Sequence, residues 1–370
     1  MTERLGKADR TLFEGAIFPN LGADRDDVAL GPAHGVDFGV LDVGGRALVT
    51  ATDPISLLSE LGYARAGRFA LSFALGDVAV SGVAPSHIAP SFALPTSMTD
   101  GEFEELWTAM SDECAELGVS VLTGHTARYP GAALPWVGAM TVMGVGDHGD
   151  VIRPDGARPG DRLLVTRGPG IETAGVLSTL YPEAFDGLNE ATLREAQACL
   201  DRTSVVRDAL AAADAGREVT GGGGTGGDGT VGNGNTGGSS AADPVGVTAM
   251  HDATEGGLRG ALCELADAAG VRIDVDSERT PENPAALAAC ETLGLDPWAC
   301  TTSGTLLVAV RPDAVDSVLA ALESRGTPVG VAGEIRRGEG VFLDGERVEA
   351  PAEDESWAAY EALSGESGRE

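Results

Sequence analysis

Short β-branched and apolar runs alternate with stretches of helical periodicity along this chain, and Asp or Gly residues mark most of the junctions, which points to an α/β or α+β architecture. Val36 to Leu41 and Ala47 to Ala51 read as adjacent strands around the turn signal Gly44-Gly45. From Thr99, TDGEFEELWTAMSDECAELG places Phe103, Leu106, Trp107, Met110, Cys114 and Leu117 on one helical face, and Thr99 and Glu102 have capping-box spacing. Strands are expected at Val119 to Leu122 and Val137 to Gly144. The stretch RPDGARPGD, from Arg153 to Asp161, marks a domain boundary through its Pro, Gly and charge. Beyond it the pattern predicts a strand over Arg162 to Thr166, a helix within Asn189 to Ala213, a strand at VGVTAM, and a helix over His251 to Gly270 opened by capping-box spacing of Asp252 and Glu255. Strands at Val271 to Val275, Thr305 to Val310 and Val329 to Gly333 complete a second unit. The expected organisation is a first domain over 1–152, a second over 153–350 with a flexible glycine-rich insertion at 217–243, and an acidic tail over 351–370.

Charge narrows the function classes. Over 370 residues, Lys+Arg number 25 against 57 Asp+Glu, a net −32 that repels nucleic acid and anionic membranes alike. Lys7 is the single lysine. An acidic, lysine-poor composition fits a salt-rich, halophilic cytoplasm, where screening relieves self-repulsion. The glycine run from Gly221 lacks GK[ST], which excludes a Walker phosphate loop, and a pyridoxal Schiff base has no second lysine to draw on. Cysteines 114, 199, 263, 290 and 300 form no C-x-x-C and read as reduced, buried thiols of a cytoplasmic protein. No run of about 18 apolar residues is present, so no membrane span is expected. The histidines lack H-E-x-x-H spacing, which disfavours a zinc hydrolase.

Four aspartates stand at strand ends or glycine-flanked turns: Asp37 in GVDFGV, Asp53 in TATDPI, Asp77 in LGDVAVSG and Asp252 in MHDATEGG. Taken singly, each is as readily a turn or helix cap. Brought together, hard carboxylate oxygens suit Mg²⁺, which shares itself between a few carboxylates and substrate phosphates. Gly256 and Gly257, with Thr254, precede a helix whose N-terminal amides are expected to approach an anion. In LTGHTARYPG, Gly124, His125, Thr126 and Arg128 offer contacts to a phosphate or acyl oxygen.

Taken in order, GVDFGVLDVGGRALVTATDPI, LGDVAVSGVAP, TGHTARYPG, GVTAMHDATEGGL, CETLGLDPW and TTSGTLL resemble the superfamily of aminoimidazole ribonucleotide (AIR) synthase, HypE, selenophosphate synthetase and thiamine-monophosphate kinase, and most resemble its HypE-like branch. The resemblance implies a two-domain fold, an N-terminal sheet domain that forms a homodimer and a C-terminal α/β domain, with ATP and Mg²⁺ in a cleft. It implies an ATP-dependent enzyme that phosphorylates an amide, carboxamide or phosphate-type oxygen of a small molecule. Position by position, Asp37, Asp53, Asp77 and Asp252 match the family's metal-binding acids, Asp252 and His125 fall at catalytic positions, and Lys7 is placed to lend charge to the nucleotide. Other readings are a divergent thiamine-monophosphate kinase or a nucleotide-binding accessory protein without turnover. The chain departs from HypE in ending LSGESGRE rather than on a carbamoyl-carrying cysteine, from selenophosphate synthetase in having Cys114 as its first cysteine, and from several relatives in carrying His125 where they have an acid.

Overall fold

The computed structural model describes residues 6, 8, 10–221 and 246–367; Lys7 and residues 222–245 lie outside the described residues. Among the described residues two seven-stranded sheets form, one on each side of the 153–161 segment. The first half runs α1 (Arg10–Leu12), β1 (Val28–Leu30), β2 (Gly39–Val43), β3 (Arg46–Ser56), α2 (Tyr63–Ala79), β4 (Pro85–Leu94), α3 (Asp100–Leu117), β5 (Ser120–Val121), β6 (His125–Arg128) and β7 (Trp136–Gly146). Its strands lie in the order β1-β2-β3-β7-β4-β5, with β6 also paired to β4. The expected hairpin forms: Val43 pairs with Arg46, and Gly44 and Gly45 both take positive φ, 62° and 84°, as a two-residue hairpin turn requires. Helix α3 has the complete capping box at Thr99 and Glu102 and ends on left-handed Gly118.

Helix α2 is a correction. The LGDVAVSG segment reads from sequence as a turn, yet Asp77 lies inside this helix. Most of α2 is buried, because the sheet, α3 and a later helix enclose it, so no polar stripe betrays its period.

The second half contains β8 (Arg162–Thr166), α4 (Ile171–Leu180), α5 (Glu190–Ala198), α6 (Val206–Gly221), β9 (Val247–Ala253), α7 (Gly257–Ala269), β10 (Arg272–Val275), α8 (Pro284–Thr292), β11 (Thr305–Val310), α9 (Val315–Ser324), β12 (Val329–Arg336), β13 (Gly340–Leu343), β14 (Glu346–Val348) and α10 (Glu355–Ser367). The sheet order is β14-β13-β10-β12-β8-β11-β9. All residues of β9 and β11 are buried. One face meets α6 and α9 through Met250, Leu306 and Val318, and the other meets α7 through Ala249, Leu307 and Leu262.

Four boundaries differ from expectation. The Asn189 to Ala213 region divides into α5 and α6 around a 3₁₀ turn at Cys199–Arg202. Helix α6 continues to Gly221, into the 217–243 segment, and Arg217 donates to Gly82 O and Asp150 O. Asp252 and Glu255 form no capping box: pairing with β11 extends β9 to Ala253, and α7 starts after left-handed Gly256 with no side-chain cap. The acidic 351–370 segment carries α10, anchored by buried Asp354. Among the described residues no helix is long and apolar enough to cross a membrane.

Candidate functional site

A cleft of about 500 Å³ opens between the two sheets, walled by β3, α2, α4 and α10. Asp37, just before β2, Asp53 on β3 and Asp77 on α2 all line it. Phe69, Phe73 and Asp77 are spaced four residues apart, so they share one face of α2 and grade the wall from aromatic to acidic. Asp252 is 4% exposed and sits behind this wall, with its Oδ2 3.5 Å from the position a Cβ on Gly76 would take. Strand and helix therefore meet there on glycine.

Successive strand residues face opposite sides, so His251 points away from Asp252 toward α7. His251 is fully enclosed, its Nε2 3.0 Å from Glu264 Oε2, and its Nδ1 3.1 Å from Asp37 Oδ2 and 3.9 Å from Asp252 Oδ1. The Asp37 contact is an ion pair by distance, without hydrogen-bond alignment. Burial opposes a charge on His251, but Asp37, Asp252 and Glu264 outweigh it and hold the imidazolium well above the usual histidine range. One ligand atom each from Asp37, His251 and Asp252 lies within 4.8 Å of the others. The paired carboxylates fit a hard divalent cation such as Mg²⁺, whereas the imidazole, already engaged by Glu264, is better suited to holding the carboxylates in place.

At the start of α7, Gly256 and Gly257 have φ of 79° and 65°, and a Cβ on Gly257 would fall 2.5 Å from Cys300 O. This turn admits only glycine at that position. The Gly256 amide donates to Asp354 Oδ2 at 2.7 Å, so an amide expected to face a ligand anion is held by the chain's own carboxylate. Asp354 Oδ1 also accepts from Ser356 N at 2.9 Å, tying α7 to the start of α10.

The expected residues are brought together unevenly. Asp37, Asp53, Asp77 and Thr254 line the cleft, Asp252 abuts it, and Gly256 and Gly257 stand at the adjoining helix end. Gly124, His125 and Thr126 do not line it: His125 and Thr126 are exposed on β6, and His125 Nε2 lies 3.0 Å from Tyr129 Oη. Lys7 is outside the described residues. Sequence reasoning missed His251, Glu264 and Glu172. The available signal for His251 was its place directly after the strand-like run VGVTAM, where a buried polar ring requires partners. Glu172, in the first turn of α4, accepts from Thr301 Oγ1 at 2.8 Å and Ser303 N at 3.1 Å, while burial pushes its pKa up.

Residues 35–146 match the N-terminal domain, and 239–346 the C-terminal domain, of the AIR synthase related protein family. Carbamoyl dehydratase HypE of Rhizobium leguminosarum bv. viciae is 26% identical over 314 residues, covering 84% of this chain and 79% of its own. The crystal structure of Escherichia coli HypE, a hydrogenase maturation protein, superposes with a TM-score of 0.64 at 25% identity, covering 86% of this chain and 92% of its own. The structure of hydrogenase maturation protein HypE in complex with ATP gives a TM-score of 0.64 at 22% identity, covering 94% and 95%.

Proposed function

Since the chain belongs to the AIR synthase related family, we propose that it is an ATP- and Mg²⁺-dependent enzyme that transfers the γ-phosphoryl group to an oxygen of a small molecule. The observation that carries this reading is that Asp37, Asp53 and Asp77 of the first half line one cleft while Asp252 of the second half lies just behind its wall, grouped with Asp37. Bound there, Mg²⁺ would neutralise triphosphate charge and help align the reacting oxygens. The chain's own parts are complementary. His251 fixes Asp37 beside Asp252, Thr254 lines the cleft next to the α7 turn, and the aromatic wall of Phe69, Phe73 and Trp357 excludes water. The acceptor oxygen gains phosphorus, ADP departs and the acceptor proton leaves to solvent or a neighbouring carboxylate. None of the five cysteines lines the cleft, which favours a diffusible acceptor over a thiol of this chain.

In this reading 1–152 supplies three metal-binding aspartates and a dimer face, and 153–350 supplies Asp252 and the α7 turn. The outer face of the first sheet supports a homodimer. Val43 and Val145 are 54% and 51% exposed there, Leu48 is half-buried, and α2 covers only the opposite face.

Titration calorimetry with Mg-ATP tests the site. Asp37→Asn, Asp53→Asn, Asp77→Asn and Asp252→Asn should each weaken binding by about tenfold or more, because the cation loses an anionic ligand. Unchanged affinity in the Asp53→Asn and Asp77→Asn proteins would remove the assignment.

A further inference from the structure

The chain carries 25 basic residues, yet among the described residues no arginine or lysine lines the cleft. Carboxylates line it from both halves of the chain. Asp37, Asp53 and Asp77 come from the first half and Glu264 from α7, whereas Glu172 comes from α4 and shares its cleft face with Val176 and Leu177. Phe69 and Phe73 continue this apolar wall with their rings edge-on at 4.9 Å. Trp357 of α10 closes it, 6.3 Å from the ring of Trp136. From Phe69 to Asp77 a helix rises about 12 Å, so α2 alone spans about one small molecule's length between its aromatic and acidic cleft residues.

Glu172 is a built polar point in that chamber. It is 8% exposed, and one carboxyl oxygen is held by both Thr301 Oγ1 and Ser303 N. Asp354, another carboxylate, is close enough to raise its proton affinity further. Ionised, Glu172 would pair with an ammonium; protonated, it would exchange hydrogen bonds with a carboxamide. Among the described residues, a free anion entering the chamber would lose its hydration among carboxylates with no arginine or lysine to receive it.

We propose that this chamber is the acceptor subsite and that it takes ring-bearing or apolar molecules whose head is cationic or a neutral N–H donor, read by Glu172, and rejects free anions. The word acceptor rests on the phosphoryl-transfer reading; the charge preference does not.

Tryptophan fluorescence of the full chain, in molar KCl with Mg²⁺ present, tests this against three probes that differ mainly in the head: phenethylamine, phenylacetamide and phenylacetate. The amine and the amide should bind about tenfold or more tightly than the carboxylate, even at that salt, because a buried carboxylate is little screened. Glu172→Gln, which keeps an oxygen for Thr301 and Ser303, should remove most of the amine preference and leave Mg-ATP affinity within about twofold of the parent. Trp357→Ala, a change at a partly exposed position, should weaken all three probes together. Equal binding of phenylacetate, an undiminished preference in Glu172→Gln, no binding of any probe at millimolar concentration, or loss of Mg-ATP affinity on Glu172→Gln would each overturn the proposal. Failure of the parent chain to bind Mg-ATP sinks the phosphoryl-transfer reading instead, and the probe ratios still decide the subsite.

Discussion

His251 and Asp252 are consecutive on a strand enclosed on both faces, and each therefore needs its own partners. Asp37 and Glu264 answer His251, and Asp252 meets the bare backbone of Gly76. Elsewhere, enclosure acts on thiols. Burial pushes Cys114 and Cys199 up to about 11 and Cys263 and Cys290 up to about 12, and it raises Cys300 as well. A raised thiol pKa leaves little thiolate below it, so reactivity at pH 8 should be low. The native protein should react slowly with a disulfide reagent such as Ellman's at that pH, and after unfolding in guanidinium it should release five equivalents per chain. Rapid labelling of the native state would mean that at least one of these cysteines is far more open than its packing indicates.

Strand β9, its glycine turn and α7 act together: the strand presents Asp252, and the turn aims a helix end beside it. Gly257→Ala should be severe, because a Cβ would meet Trp298 O and Cys300 O as well as an unfavourable φ, and the displaced loop carries Thr301 of the Glu172 contact. A lowered melting temperature together with weaker Mg-ATP binding is the expected result. Helix α3, remote from the cleft, provides the contrast. Thr99→Ala removes its capping box at a cost of about 1 kcal/mol, which for a chain of this size lowers the melting temperature by only a few degrees. ATP affinity should be unchanged, and a large loss would show that α3 reaches the site. Helix α10 bridges the halves, with Trp357 against Trp136 and Tyr360 against Tyr181.

Charge and shape meet in the assembled molecule. At −32 the chain repels its own copies, while the outer face of the first sheet exposes Val43 and Val145 for burial. The balance depends on salt, since the Debye length falls from about 30 Å at 0.01 M to about 3 Å at 1 M. Sedimentation should find a dimer at molar KCl that loosens or dissociates in dilute buffer, with ATP binding lost alongside it. A dimer equally stable in dilute buffer refutes the halophilic reading, and a monomer at every salt refutes the dimer.

Features set by a few neighbouring residues were legible without coordinates. The Gly44-Gly45 hairpin needs only two positive φ angles, and the Thr99 capping box needs only two side chains three residues apart. The aspartates at 37, 53 and 77, each as readily a turn or cap on local grounds, were assigned to a cleft only through the order of motifs that resembles the family, and Asp77 proved to be helical. Helix α2 was hidden because enclosure on nearly every side erases the polar stripe that marks a helical period. The grouping of His251 with Asp37 and Glu264, the capture of the Gly256 amide by Asp354 and the seating of Glu172 on Thr301 each join residues far apart in the chain. Strand pairing and helix docking bring those charges together, and the energetic demand that a buried charge find partners acts only once the chain has closed around it.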